Sequence, residues 1–212
     1  ENMETMHDVR DSTTYAIIKI GTQWWMAENL AYLPAIEGTN KGSASDPFYY
    51  VYAYNGNKVD TAKQSDNYKT YGVLYNWPAA VATCPQGWHL PTENEWLILE
   101  KYLGDNDFGY NGYKEDIAKA LASQSNWDAS AYQGTPGHEM QNNNKSGFNA
   151  QPGGYINYDG FMGSTFSLKG FAGSWWTADS KNESMAIRKD LYHYDTKLYS
   201  ESGFKKNGYS VR

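Results

Sequence analysis

An α+β fold is what this sequence predicts, and three observations lead there. A β-hairpin pattern lies near the start, a strongly capped amphipathic helix lies before the midpoint, and the second half breaks into short β-branched or aromatic runs separated by Gly, Asn, Asp and Ser. Helices first and a meander of strands afterwards is the segregated order of an α+β domain, and 212 residues suffice for one such domain.

Residues 14–20 are β-branched and aromatic, stop at Gly21-Thr22, and resume as Gln23-Trp24-Trp25-Met26-Ala27. This predicts a hairpin with a two-residue, Gly-first turn. Residues 34–70, rich in Tyr, Gly, Ser, Asn and Asp, hold no sustained period and are expected to form a long surface excursion with one strand inside it. Residues 75–82 read as a short helix with Pro78 in its first turn, where a missing N–H costs nothing.

The best helix follows. Thr92-Glu93-Asn94-Glu95 is a capping box directly ahead of Trp96, Leu99 and Leu103 on one face, with Gly104 expected to end the helix. A weaker helix is expected over 116–123, where Ile117, Ala120 and Leu121 share a face. Strands are then expected at 154–157, 163–167, 173–177, 185–192, 197–199 and 209–212, with the hairpin pairing with the terminal strand.

Composition narrows the function. Aromatics make up 16 % of the chain, with 19 Tyr and 8 Trp beside 20 Gly, whereas charged residues make up only 20 %. That suits a loop-rich fold with an aromatic core and a polar, weakly charged surface. A net charge of −6 supplies none of the clustered Lys and Arg that phosphate backbones or anionic lipids require, so nucleic acid is excluded as a partner. No apolar run approaches the roughly 18 residues of a membrane span. The first residues lack the basic and apolar regions of a signal peptide, and the chain reads as trimmed at both ends.

Several phrases carry a resemblance. Ile20-Gly21-Thr22-Gln23-Trp24-Trp25-Met26-Ala27-Glu28-Asn29-Leu30, Tyr71-Gly72-Val73-Leu74-Tyr75-Asn76-Trp77, Cys84-Pro85-Gln86-Gly87-Trp88-His89-Leu90-Pro91-Thr92-Glu93-Asn94-Glu95-Trp96 and Gly208-Tyr209-Ser210-Val211-Arg212 resemble the Fibrobacter succinogenes major paralogous domain. The intermediate phrases 147–155 and Ser174-Trp175-Trp176-Thr177-Ala178 agree with it. The resemblance implies a C-type-lectin-like fold, in the branch that includes formylglycine-generating enzymes, with which Leu90-Pro91-Thr92-Glu93-Asn94-Glu95-Trp96 is shared. It also implies a secreted or surface-anchored protein of Bacteroidetes-type bacteria, with a lipid anchor outside these residues. Family members continue past Ser-Val-Arg with a Cys, so the resemblance implies a disulfide partner for Cys84 beyond Arg212. A second Cys pair usual in the excursion is replaced here by Tyr52-Ala53-Tyr54-Asn55-Gly56-Asn57.

Catalytic residues are sparse. An active formylglycine-generating relative needs two placed Cys and this chain has one, while His7, His89, His138 and His193 are scattered with no His-x-x-x-His spacing. His89 is expected to pack or hydrogen-bond at the helix cap. Neither a Gly-x-Ser-x-Gly elbow nor a phosphate loop is present. The chain is therefore expected not to be an enzyme. Calcium-dependent sugar binding of the lectin kind needs oxygens that Gln151-Pro152-Gly153 and Ser174-Trp175-Trp176-Thr177 do not provide. Asp105-Asn106-Asp107 could hold a structural calcium ion or form a polar turn; no other cofactor is expected.

Aromatic residues remain as candidates for binding. In Trp24-Trp25 and Trp175-Trp176 strand alternation sends the two rings to opposite faces, leaving one of each pair for an excursion to cover or for a sugar ring to stack on. Tyr49, Tyr50, Tyr52 and Tyr54 in the excursion, Tyr110 and Tyr113 after the helix, and Tyr155 and Tyr158 in the Asn/Gly-rich segment fall where recognition loops are expected. The expectation is a non-enzymatic surface recognition domain for glycan or a protein partner. The alternatives are an assembly module of a larger surface structure and, more distantly, a formylglycine-generating-type oxidase.

Overall fold

The computed structural model describes residues 3–158 and 164–212. It is a mixed structure of ten mostly short strands, paired antiparallel, with few helices. The first sheet runs β1 (Met3–Asp8), β2 (Thr13–Ile20), β3 (Gln23–Met26) in that spatial order. The β2–β3 hairpin is the predicted one. Gly21 takes φ +61° in its turn, and a Cβ there would stand 2.8 Å from the Tyr102 ring, so glycine serves both the turn and its seat on a helix. Nothing in residues 3–8 predicts β1, because most of the strand is exposed and has no apolar face to mark it.

Residues 34–70 hold more structure than expected, two short helices besides the one strand. They fold into β4 (Tyr49–Tyr50), α1 (Val59–Gln64) and α2 (Asp66–Tyr71), and bury Ile36, Tyr50, Val51 and Ala62. Most of the excursion is exposed or half-buried, with the one expected strand inside it, but Ile36, Val51 and Ala62 anchor it in a cluster with Tyr15, Leu30 and Tyr75, and Tyr50 in another with Leu74 and Ile156. β5 (Leu74–Tyr75) pairs with β4, and α3 (Trp77–Ala82) follows, capped by the Asn76 side chain with Pro78 in its first turn.

α4 (Glu93–Asp105) carries the predicted capping box: the Thr92 hydroxyl accepts from the Glu95 amide at 3.2 Å while the Thr92 amide donates to the Glu95 carboxylate at 2.8 Å. Trp96, Leu99 and Leu103 are fully buried. Gly104 does not end this helix. It lies inside it, where a Cβ would come within 2.5 Å of the Lys114 carbonyl, so the glycine permits close approach of the returning chain. α5 (Ala118–Leu121) is a shorter version of the helix expected over 116–123.

In the second half β6 (Tyr155–Tyr158) pairs with β7 (Ser164–Ser167), and β8 (Ala172–Ser180), β9 (Met185–Tyr192) and β10 (Leu198–Phe204) form a sheet in the order β10-β9-β8. Gly163, where a strand was expected to begin, lies outside the described residues. The terminal segment does not pair with the hairpin. It bridges Gly208 to Ile156, Tyr209 to Tyr75 and Ser210 to Trp175, beside β8, and meets the hairpin's end through side-chain bonds of Asn29 with Ser210 and Arg212, Leu30 N–H donating to the Val211 carbonyl (2.9 Å) and Arg212 donating to the Met26 carbonyl (3.2 Å).

β8 therefore stands between two cores. Trp175 enters one with Trp25, Trp96, Leu99 and Phe148, and Trp176 enters the other with Tyr15, Tyr75 and Tyr209. Alternation does send the two rings to opposite faces, but both faces are covered and both tryptophans are fully buried.

The first sheet is tied to the rest by Asp8, which is buried and receives Arg10 Nε at 2.8 Å and Nη2 at 2.6 Å, while Nη1 of the same guanidinium donates to the Thr83 carbonyl at 2.7 Å. Hydrogen bonding from Arg10 holds the Asp8 carboxyl below its ordinary 3.8. Burial raises the Glu95 carboxyl, but bonds from the Thr92 amide, His89 and the Thr92 hydroxyl outweigh it and leave it below 4.5. Both groups have depressed folded values, so their stabilisation is present above the ordinary carboxylate values and is lost as pH falls through the folded ones. Urea midpoints are expected to stay level from about pH 7 to 5 and to fall below about pH 4, with Asp8→Asn flattening that fall.

Candidate functional site: a tryptophan-walled cavity

A cavity of about 500 Å³ opens between β3 and the residues leading into α4. Trp24, Trp25, Met26, Ile17, Trp88 and Pro91 supply its apolar lining, and Gln23, Glu4, His89, Glu95 and Arg212 its polar groups. This is the size and make-up of a small-ligand pocket: apolar walls with a few convergent polar groups.

Each wall has a local cause. β3 alternation puts Trp25 into the core, 4 % exposed, and Trp24 outward, 38 % exposed. Gln23 locks the strand to the helix, its amide donating to the Glu95 carbonyl at 3.1 Å and its oxygen receiving Trp25 Nε1 at 3.3 Å. Across the cavity, the Trp88 amide closes a turn onto the Pro85 carbonyl (3.0 Å), and the Pro91 carbonyl accepts from Ala178 at the end of β8 (2.9 Å). The first turn of α4 is anchored by Asp179, whose carboxylate receives the Glu93 amide at 2.6 Å.

The polar rim is a His–carboxylate pair. His89 Nε2 lies 2.7 Å from Glu95 Oε1, and Glu95 is itself held by the capping box, so the imidazole is aimed by the same carboxylate that caps the helix. Arg212 is buried at the cavity's edge, donating to Asn29 Oδ1 (3.0 Å) and to the Met26, Phe148 and Asn149 carbonyls. Burial pushes its guanidinium down to about 9, still charged at neutral pH. Among the described residues no protein acceptor meets the indole N–H of the partly exposed Trp24 and Trp88, nor that of the fully buried Trp96, whereas Trp25, Trp77, Trp127, Trp175 and Trp176 all donate. Two partly exposed indoles thus border one concavity, with the Lys19 ammonium over the Trp24 ring at 5.9 Å from its centroid.

Residues 18–212, which carry all of this cavity's lining but Glu4 and Ile17, match the family model of the Fibrobacter succinogenes major domain. The chain belongs to that family. No curated protein and no solved structure matches it. In this Fibrobacter succinogenes major domain, three of the phrases that carried the resemblance, 20–30, 84–96 and 208–212, contribute to the cavity. No helix of the described residues is long and apolar enough to cross a membrane.

The aromatic residues singled out from the sequence of this domain are mostly divided among three clusters, Trp175 in one, Trp176 with Tyr49, Tyr54 and Tyr155 in a second, and Tyr50 with Tyr52 in a third. Trp175 Nε1 donates to Asn29 Oδ1 (2.9 Å) and Trp176 Nε1 to the Tyr75 carbonyl (2.8 Å), both in the interior. Tyr50 is buried with its hydroxyl on the Lys41 carbonyl (2.8 Å), and Tyr49 packs edge-on to Tyr75. Tyr52 leans on Phe166, and Tyr54 bonds the Lys58 carbonyl of its own loop (3.0 Å). Tyr155 stacks against Tyr209 and Tyr158 lies beneath Lys206. Tyr110 donates to Gln133 and Tyr113 stands alone, 68 % exposed. Their partners lie mostly tens of residues away, which single-sequence spacing does not reveal.

Asp105, Asn106 and Asp107 are likewise engaged elsewhere. Lys101 (2.5 Å) and Lys114 (2.6 Å) hold the Asp105 carboxylate at about 2, the Asn106 amide donates to the Tyr102 carbonyl, and the Asp107 carbonyl receives Lys145. Among the described residues no three His, Cys, Asp or Glu side chains are grouped to hold a metal. Cys84 has no partner among the described residues, and burial pushes its thiol up to about 11, away from the reactive thiolate. What the sequence reading missed was Trp88: its place just before the capping box was the available signal, since a helix N-terminus fixes whatever precedes it.

Proposed function

We propose that this domain is a non-enzymatic recognition module of a secreted or surface-anchored bacterial protein, built on a C-type-lectin-like fold, and that it binds glycan in the Trp24–Trp88 cavity. The observation that carries the reading is the pair of partly exposed indoles with unspent N–H groups, set over a cavity rimmed by His89 and Glu95. Indole faces stack on the C–H face of a pyranose, while imidazole, carboxylate and indole N–H groups exchange hydrogen bonds with its hydroxyls. The capped helix packed on an antiparallel sheet, with the terminal segment beside the central strand, supports the lectin-like fold. The raised Cys84 thiol speaks against an oxidase of the formylglycine-generating kind.

A glycan array on the domain, repeated with Trp24→Ala, tests this reading. Binding is expected and should weaken tenfold or more, on the order of 1.4 kcal/mol or above, while the unfolding midpoint stays within about 0.5 kcal/mol of wild type because Trp24 is a surface ring. An unresponsive array together with tight capture of a sister surface protein would replace glycan by an assembly role.

A further inference from the structure

Far from the cavity, five rings meet at the other end of β8: Phe171 just before it, Tyr192 at the end of β9, His193 and Tyr194 after it, and Tyr199 in β10. Ring centroids lie 4.6 Å apart for Phe171–His193, 5.3 Å for Phe171–Tyr194, 5.7 Å for Tyr192–Tyr194 and 6.0 Å for Tyr192–Tyr199. Tyr194 is 42 % exposed and the others are half-buried. Tyr192 pairs with Ala172, whereas the cavity wall is tied to Ala178, so about 20 Å of strand separates the two places.

These rings are held in place. The Tyr192 hydroxyl donates to Asp190 Oδ2 at 3.1 Å, and Asp190 is fully buried and paired with Arg188 at 2.7 Å. His193 Nδ1 sits 3.2 Å from the Asp128 carbonyl, and the His193 backbone bonds to Phe171 and Gly137 on either side. A fixed aromatic surface loses little entropy when a ligand settles on it.

Its surroundings select the ligand. Asp190 and Glu201 act on the Tyr192 hydroxyl and Asp195 on that of Tyr199, and the Asp128 carboxylate approaches Gly170 next to Phe171. Arg188 and Lys197 oppose them on the same hydroxyls, but Arg188 is paired with the buried Asp190 and Lys197 with Glu115 at 2.7 Å, which leaves Glu201, Asp195 and Asp128 as the acidic groups of the border. An acidic border of this kind repels uronate or sulfate and accepts hydrogen bonds from hydroxyls.

We propose that this ring cluster is a second glycan-contact surface, separate from the cavity, which stacks on an uncharged pyranose. The inference rests on the reading of the domain as glycan-binding. Affinity electrophoresis through a neutral xylan, a glucan and a mannan, with polygalacturonate as the acidic counterpart, compares wild type, Tyr194→Ala, Trp24→Ala and the double variant. Wild type should be retarded by at least one neutral polymer and not by polygalacturonate. Each single variant should lose about tenfold in affinity, and the double variant should run unretarded. Tyr194→Ala behaving as wild type while Trp24→Ala loses binding would overturn the second surface and leave the cavity reading standing. The reverse pattern would sustain the ring cluster and remove the cavity. Stronger retardation by polygalacturonate, or retardation by none of the polymers, would overturn the proposal.

Discussion

Replacing Trp176 with Ala should destabilise the domain by about 3–5 kcal/mol, a large share of the 5–15 kcal/mol that holds most domains folded. The indole is fully buried, its N–H is spent on the Tyr75 carbonyl, and its ring meets Tyr209 edge-on at 4.6 Å. Opposite it, Gly203 leaves room that a Cβ would fill to within 3.0 Å of the indole. Alanine would leave a cavity lined by Tyr209, the bare Gly203 backbone and a Tyr75 carbonyl that keeps only the Tyr209 amide at 3.0 Å. Trp176→Phe should lose less, because it keeps most of the volume and forfeits mainly the hydrogen bond. Urea denaturation of both variants checks the order. A Trp176→Ala protein of unchanged midpoint would mean that this ring is not in the core.

Asp190→Ala is the second change of comparable size, about 3–5 kcal/mol, because it strands the largely buried Arg188 without its counter-charge. Arg188 lies over the Tyr209 ring at 4.9 Å and reaches Ser174, so its loss from register would spread to the β8 face. The double variant Arg188→Met/Asp190→Leu should recover much of the loss, since apolar residues of similar volume can replace a buried pair. A thermal or urea double-mutant cycle measures that coupling. Asp190→Ala also frees the Tyr192 hydroxyl and should loosen the ring cluster, whereas Trp24 is untouched.

What could be read from the sequence was what is encoded locally. The hairpin turn at Gly21-Thr22 and the box from Thr92 to Glu95 each place donor and acceptor within a few residues, and both appear as expected. The family was legible as well, because its phrases are contiguous. Layering was not. The burial of Trp175 and Trp176 on opposite faces depends on two clusters gathered from the whole chain, and the apolar residues of 34–70 gain meaning only against Tyr15 and Tyr75. Gly104 carried the signature of a helix stop, yet it answers to Lys114 ten residues on. For the cavity, alternation foretold one outward ring in Trp24-Trp25. The opposing wall required Gln23 to find Glu95, a contact 72 residues long, and no spacing rule supplies that.

The most direct measurement is an NMR titration that follows the indole N–H resonances of the assigned tryptophans as xylohexaose, cellohexaose or mannohexaose is added. The cavity account predicts saturable shifts for Trp24 and Trp88 while the interior Trp96, Trp175 and Trp176 stay in place. Saturable shifts elsewhere with Trp24 and Trp88 unmoved, or no shifts with any of the three sugars, would contradict it.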